Sequence, residues 1–151
     1  MVIPYDNFTG AFLAKITEYD LLELDENERA ETVDGFLKRT LADTMLKKVI
    51  KYDFVNNADE EERQFEIDIE SDALDEIIDI VSDGMLIQWL KPYVYKQELL
   101  ENVLNTRDYT LYSPAELLMR IGNAYTKAQK DYKQAIREYS YNHGDLTELH
   151  L

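Results

Sequence analysis

Leu118, Ile121, Tyr125, Ala128, Tyr132, Ala135 and Tyr139 recur at spacings of 3, 4, 3, 4, 3 and 4. This is an a/d helical seam sustained over three heptads, so this part of the chain must be one long helix with its stripe laid against a partner helix. Its start is marked locally. Ser113 suits the N-cap, Pro114 the first helical position and Glu116 the third, and the helix predicted from there runs to about Tyr141, before Gly144. Small Ala alternates with large Tyr along the seam, which lets a partner approach closely.

The partners are visible upstream. Asp25 with Glu28 forms a capping-box arrangement ahead of a predicted helix of about twenty residues, whose stripe is Ala30, Val33, Phe36, Leu37, Leu41, Met45, Leu46 and Val49. Lys47, Lys48 and Lys51 close it, as the helix dipole favours. Ser71 or Asp72 opens another, with Leu74, Ile77, Ile78, Val81, Met85 and Trp89 inward and Asp72, Asp75, Glu76, Asp79 and Asp83 outward. Pro92 should stop or kink it near Leu90. Shorter helices are predicted from Asp6 or Asn7, carrying Phe8, Phe12, Leu13 and Ile16, and over Gln97–Leu104. Residues 17–25 and the Tyr-rich 107–112 are connections, residues 1–5 an extended arm and 145–151 a tail.

One segment breaks the helical pattern. In Gln64–Glu70, Phe65, Ile67 and Ile69 alternate with polar residues, which is a strand signal, and Asn56, Asn57 and Asp59 precede it as turn formers. The nearest partner is Lys51–Asn56, giving a small acidic hairpin; the other reading is an extended loop whose strand partner lies in another subunit. The expected fold is therefore mainly α: a helical bundle of three main helices plus short helices, with a small acidic β-hairpin or extended loop near 51–70. At 151 residues it fits a single domain, able to bury roughly 68–70% of the surface its unfolded chain exposes. Gly35, Gly84 and Gly122 fall inside predicted helices, where each costs about 1 kcal/mol relative to Ala, so they mark close helix crossings or tolerated defects.

The net charge is −15, and it is not spread evenly. Glu18–Asp83 holds 22 acids and 7 bases, the remainder 9 of each, and within Asp53–Asp83 the single base is Arg63. Apolar residues interleave with these acids, so they read as one face of folded elements rather than a disordered tail. Such a surface repels phosphate backbones and anionic membranes, which argues against sequence-specific nucleic-acid binding and membrane binding. The absence of cysteine removes disulfides, thiolate metal sites and cysteine nucleophiles, and fits a reducing compartment. No secretory signal and no apolar run of about 18 residues is present, which predicts a soluble, unprocessed product.

Chemistry-bearing patterns are sparse. His143 and His150 lie near the C-terminus outside any HExxH or triad-like setting. Asp68, Glu70 and Asp72 imitate the start of a calcium loop, but Ala73 stands where Gly is needed and Asp79 where a bidentate Glu is expected. Asp72, Asp75, Glu76 and Asp79 read as a solvated helix face rather than a magnesium site. No phosphate-binding loop or nucleophile elbow occurs. No catalytic, cofactor-binding or metal-binding residues are assigned, and no cofactor is expected.

The sequence points instead to surfaces. Of 11 tyrosines, eight lie between Tyr93 and Tyr141, and Tyr is enriched at protein interfaces. Tyr125, Tyr132 and Tyr139 on the seam belong either to the core or to a subunit interface. From Arg120 to Arg137 the bases Arg120, Lys127, Lys130, Lys133 and Arg137 face a lone acid, Asp131. A basic helix beside an acidic region suggests self-complementary association. The candidate interface is therefore Tyr125, Tyr132, Tyr139, Tyr141, Lys127 and Lys130 on one side and Asp72, Asp75 and Asp79 on the other.

Three stretches, Asp83-Gly-Met-Leu-Ile-Gln-Trp-Leu-Lys-Pro92, Asn105-Thr-Arg-Asp-Tyr-Thr-Leu-Tyr-Ser-Pro-Ala115 and Tyr139-Ser-Tyr-Asn-His-Gly-Asp-Leu146, resemble small structural proteins of tailed bacteriophages, the head-to-tail connector, adaptor or neck components. The likeness covers roughly residues 71–146 and rests on packing and capping signals. It implies a mostly helical, non-enzymatic subunit in the neck of the virion, otherwise cytoplasmic, repeated as a homo-oligomeric ring between portal and tail. Its partners would be copies of itself, the portal protein and neighbouring neck and tail proteins, gripped through extended termini or loops, with DNA only passing through. An acidic inner wall would let DNA pass without sticking, since no counterions would be released on contact. The alternative is a soluble acidic regulatory or inhibitor protein that binds a basic partner by imitating the charge of DNA.

Overall fold

The computed structural model describes residues 1–16, 26–95 and 114–143. The expected caps at Asp25 and Ser113, the connections 17–25 and 107–112, the short helix 97–104 and the tail lie outside them. In chain order the elements are β1 (Val2–Pro4), α1 (Asp6–Ile16), α2 (Glu26–Leu41), α3 (Thr44–Val49), β2 (Ala58–Asp59), β3 (Gln64–Glu66), α4 (Ser71–Tyr95) and α5 (Pro114–His143). The protein is mainly helical with a small antiparallel sheet, as the periodicities predict.

α4 is the axis of the bundle, packing against α5 most extensively and also against α1 and α2. Because it is covered from several sides, it buries more than one stripe: Ala73, Ile80, Ser82, Gly84 and Leu86 join the expected Leu74, Ile77, Val81, Met85 and Trp89. The two long helices run antiparallel. Tyr95 meets Tyr125 edge to face at one end, and His143 reaches Glu76 at the other. α4 continues through Pro92 to Tyr95 instead of stopping near Leu90. Proline here costs one backbone hydrogen bond close to the helix end, while buried Trp89 and Leu90 and the half-buried Tyr93 and Val94 pack on both sides of it.

The predicted twenty-residue helix is two helices. Asp43 takes an extended conformation, caps α3 by accepting from the Met45 N–H, and leaves Met45 exposed. α2 ends just before it, where the Thr40 hydroxyl donates back to the Phe36 carbonyl at 2.8 Å. The Asp43 carboxylate also accepts the Tyr132 hydroxyl at 2.6 Å. An N-cap residue with a second, tertiary partner outweighs the continuing helical stripe.

The strand prediction holds in kind but not in partner. β3 lies between β1 and β2, with Ile3 opposite Phe65 on one side and Ala58 opposite Phe65 on the other. Lys51–Asn56 does not pair with it. There Asp53 accepts from the Asn56 backbone, and Asn57 donates to the Asp53 carbonyl, which makes a turn. The expected extended arm, residues 1–5, is instead built into the fold: it holds β1, and Ile3 and the following Tyr5 are each 1% exposed. Pairing Ile3 with Phe65 places two apolar side chains on the core face, which fixes the register. Asp6 likewise lies in the first turn of α1 rather than capping it; the Tyr5 carbonyl accepts the Phe8 and Thr9 N–H groups.

The aromatic side chains tie sheet to bundle. Phe65 contacts Tyr5, Phe8 and Phe54, with ring centroids 4.7 to 5.6 Å apart, and Phe12 packs edge-on against both Phe36 and Trp89. Geometries of this kind add to the area that the rings bury. Gly84 sits where α2, α4 and α5 cross: a Cβ there would lie 2.4 Å from Thr40 Cγ2 and 2.9 Å from Tyr132 Cε1. Gly35 and Gly122 mark no such crossing, since at Gly122 nothing lies within 4 Å and at Gly35 only Arg39 comes near.

Candidate interaction surfaces

Every acid from Asp53 to Asp79 is exposed, and only Asp83 of that block is partly covered. Together they form an acidic face over β2, β3 and the N-terminal half of α4. A few cations reach into it. Lys15 bridges Asp79 at 2.7 Å and Asp83 at 2.9 Å, Lys38 pairs with Glu60 at 3.0 Å, and the Met1 ammonium meets Asp68 at 3.4 Å. Burial opposes the charge on Lys15, but hydrogen bonds to Asp79 and Asp83 outweigh it and raise its pKa above the ordinary value. Burial pushes the Asp83 carboxyl up in spite of Lys15, and Asp79 and Asp131 add to the shift.

Arg63, the lone base of that block, organises this side of the molecule, a role that sequence reasoning missed. Its guanidinium grips Asp34 on α2 through Nε at 2.8 Å and Nη2 at 2.9 Å, and reaches Asp6 on α1 at 3.0 Å. It lies over the Tyr5 ring, and its carbonyl accepts the Tyr5 N–H. Arg63 adopts a left-handed φ of 51°, which turns the chain into β3. The hydrogen bond to Asp34 is the largest of the effects that push its pKa further up. Its isolation among thirteen acids marked it out, but not its partners, since Asp34 and Asp6 both lie outside that block.

The candidate residues separate into core and surface. Tyr125, Tyr132 and Tyr139 are 9%, 5% and 5% exposed and face the chain's own core, with Ile121, Ala124, Ala128 and Ile136 beside them. At the start of the seam Leu118 is exposed. Tyr141 is 68% exposed. Lys127 is exposed and pairs with Asp131 at 2.8 Å; Lys130, Lys133 and Arg137 are exposed on the same side of α5 and make no ion pair among the described residues. Lys130, Lys133, Gln134, Arg137 and Glu138 line a shallow groove of about 430 Å³. On α4, Asp72 and Asp75 are exposed, whereas Asp79 is held by Lys15. His143 belongs to the last turn of α5, two residues beyond the expected helix end at Tyr141. It stacks on Tyr139 and shares a 2.8 Å hydrogen bond with Glu76.

Among the described residues no cluster of three acids or histidines is placed to hold a metal ion. The cleft of about 330 Å³ beside α3 has an apolar floor of Leu41, Leu46, Ile50 and Phe54, with Lys47, Lys51 and Asp53 at its edge. No histidine or hydroxyl nucleophile other than Tyr52 lines it. No helix of the described residues is long and apolar enough to cross a membrane.

The buried tyrosines set an alkaline limit. Burial raises the pKa of Tyr132, reinforced by its bond to Asp43, and also raises those of Tyr5, Tyr125 and Tyr139 from the ordinary 10.0. The folded state thus holds these protons more tightly than the unfolded state. Their contribution is complete below about pH 10 and is lost as pH rises past it. Urea midpoints should be flat from about pH 8 to 9 and fall above about 10, with tyrosinate absorbance appearing as the protein unfolds. Complete tyrosine ionisation near pH 10 in a still-folded protein would contradict this.

Comparison of the chain with protein-family models, with curated proteins and with solved structures gives no match.

Proposed function

We propose that the protein is a non-enzymatic structural subunit of a phage neck, a connector or adaptor that closes into a ring between portal and tail and lets DNA pass. The observation that carries this reading is the segregation of exposed charge. Acids cover β2, β3 and the N-terminal half of α4, while on the exposed side of α5 Lys127, Lys130, Lys133 and Arg137 outnumber Asp131 and Glu138. Two unlike faces on one subunit suit a head-to-tail contact, and such contacts form rings when the rotation closes. The likeness of residues 83–92, 105–115 and 139–146 to connector proteins supplies the place.

The acidic face by itself favours a second reading, an inhibitor that meets a basic partner as DNA would. Mass photometry and light scattering over a concentration series separate the two. The ring reading expects one closed multimer whose size stops growing with concentration. The contact joins unlike exposed charges, so assembly should be present near 0.15 M salt, where the Debye length is about 8 Å, and weaken toward 1 M, where it is about 3 Å. A monomer at every concentration and salt, combined with salt-sensitive binding to polylysine, would replace the ring reading with the inhibitor.

A further inference from the structure

Asp59 at the end of β2 and Glu60, Glu61 and Glu62 in the connection to β3 follow in succession, all exposed. Two of these acids are occupied within the chain. Asp59 accepts the Glu61 and Glu62 N–H groups at 3.1 and 3.2 Å, and Glu60 pairs with Lys38. Glu61 and Glu62 make no ion pair among the described residues, and they stand on a turn that Asp59 and the anchored Arg63 hold at its two ends. A turn fixed in this way loses little conformational freedom when it meets a partner.

On α5, Lys130, Lys133 and Arg137 follow an i, i+3, i+7 pattern along one side of the helix, over about 10 Å. They flank the groove of about 430 Å³, and Gln134 and Glu138 complete it. The same chain therefore presents an anchored turn with two acids, Glu61 and Glu62, and a groove with three bases, Lys130, Lys133 and Arg137, none of which makes an ion pair among the described residues. We infer that the β2–β3 turn of one copy seats in the α5 groove of the next, with Glu61 and Glu62 against Lys130, Lys133 and Arg137. This inference rests on the ring reading and names the surfaces that meet. The Tyr side chains of the seam take no part in the contact, because they are spent on the core. The charge of the docking turn is opposite to that of its receptor, so the contact pairs two different surfaces of the chain, as a head-to-tail ring requires.

The test uses two full-length variants at exposed positions, Lys130→Glu/Lys133→Glu/Arg137→Glu and Glu61→Lys/Glu62→Lys. Sizing at about 0.15 M salt is run on each variant alone and on their equimolar mixture, with circular dichroism to show unchanged helix content. Each variant alone should associate at least tenfold more weakly than wild type, and the mixture should recover association, because the intact turn of one then meets the intact groove of the other. A wild-type multimer unaffected by either variant overturns this contact and leaves the ring reading standing. So does a loss in both variants that mixing fails to restore. A wild-type protein that stays monomeric overturns the ring reading, and this contact with it.

Discussion

Gly84→Ala will destabilise the protein by about 3 kcal/mol, although alanine is the better helix former by about 1 kcal/mol. The added methyl would lie 2.4 Å from Thr40 Cγ2 and 2.9 Å from the Tyr132 ring. Neither neighbour gives way cheaply. The Thr40 hydroxyl is bonded to the Phe36 carbonyl, and the Tyr132 hydroxyl to Asp43, so moving either side chain breaks a hydrogen bond or separates α2 or α5 from α4. For a chain of this length the loss corresponds to a Tm lower by about 6–12 °C. Gly122→Ala is the control: nothing lies within 4 Å of the new methyl, and the substitution should stabilise by up to about 1 kcal/mol. Thermal melts of the two variants should move in opposite directions. Equal shifts would mean that the three-helix crossing is not as close as described.

Trp89→Ala will cost about 3–5 kcal/mol, a large share of the 5–15 kcal/mol that keeps a typical domain folded. The indole is 1% exposed and packs edge-on against Phe12, which in turn meets Phe36, so its removal opens a cavity where α1, α2 and α4 meet. Its Nε1–H is buried with no acceptor among the described residues, and deleting that group recovers part of the loss. Trp89→Phe should therefore cost only about 1–2 kcal/mol, because it keeps most of the ring volume and removes the unsatisfied donor. Urea unfolding followed by far-ultraviolet circular dichroism reads both, since Trp89 is the one tryptophan and fluorescence is lost with it. A loss below about 1 kcal/mol for Trp89→Ala would show that this site collapses around the gap or is not core.

What could be read from the residues was whatever depended on near neighbours. The course of α5 followed from a 3-4 spacing repeated three times, and that of α4 from an apolar stripe with acids on its other side. The break at Asp43 could not be read this way, because the partner that fixes its carboxylate, Tyr132, is 89 positions away. β1 carries no periodicity in three residues, and its register comes from Ile3 meeting Phe65. Gly84 and Gly122 look alike in a helical stretch and differ only in what crosses them. The same limit applies to the surfaces. A heptad seam demands an apolar partner without saying whose, and Tyr125, Tyr132 and Tyr139 found theirs within the chain. Asp72, Asp75, Glu76 and Asp79, by contrast, are exposed as read, whereas Asp83 is drawn partly inward by Lys15, 68 positions away.

The order of the strands also affects how the chain must be made. Ile3 and Tyr5 leave the ribosome some sixty residues ahead of Phe65 and Arg63, the groups that will cover and hold them. At about 5–20 residues per second that interval lasts about 3–12 s. During it Ile3, Tyr5, Phe8 and Phe12 form a nascent apolar segment with neither sheet nor α4 to receive it. Conditions that slow translation between residues 12 and 65 prolong the time over which this segment is open to misassembly.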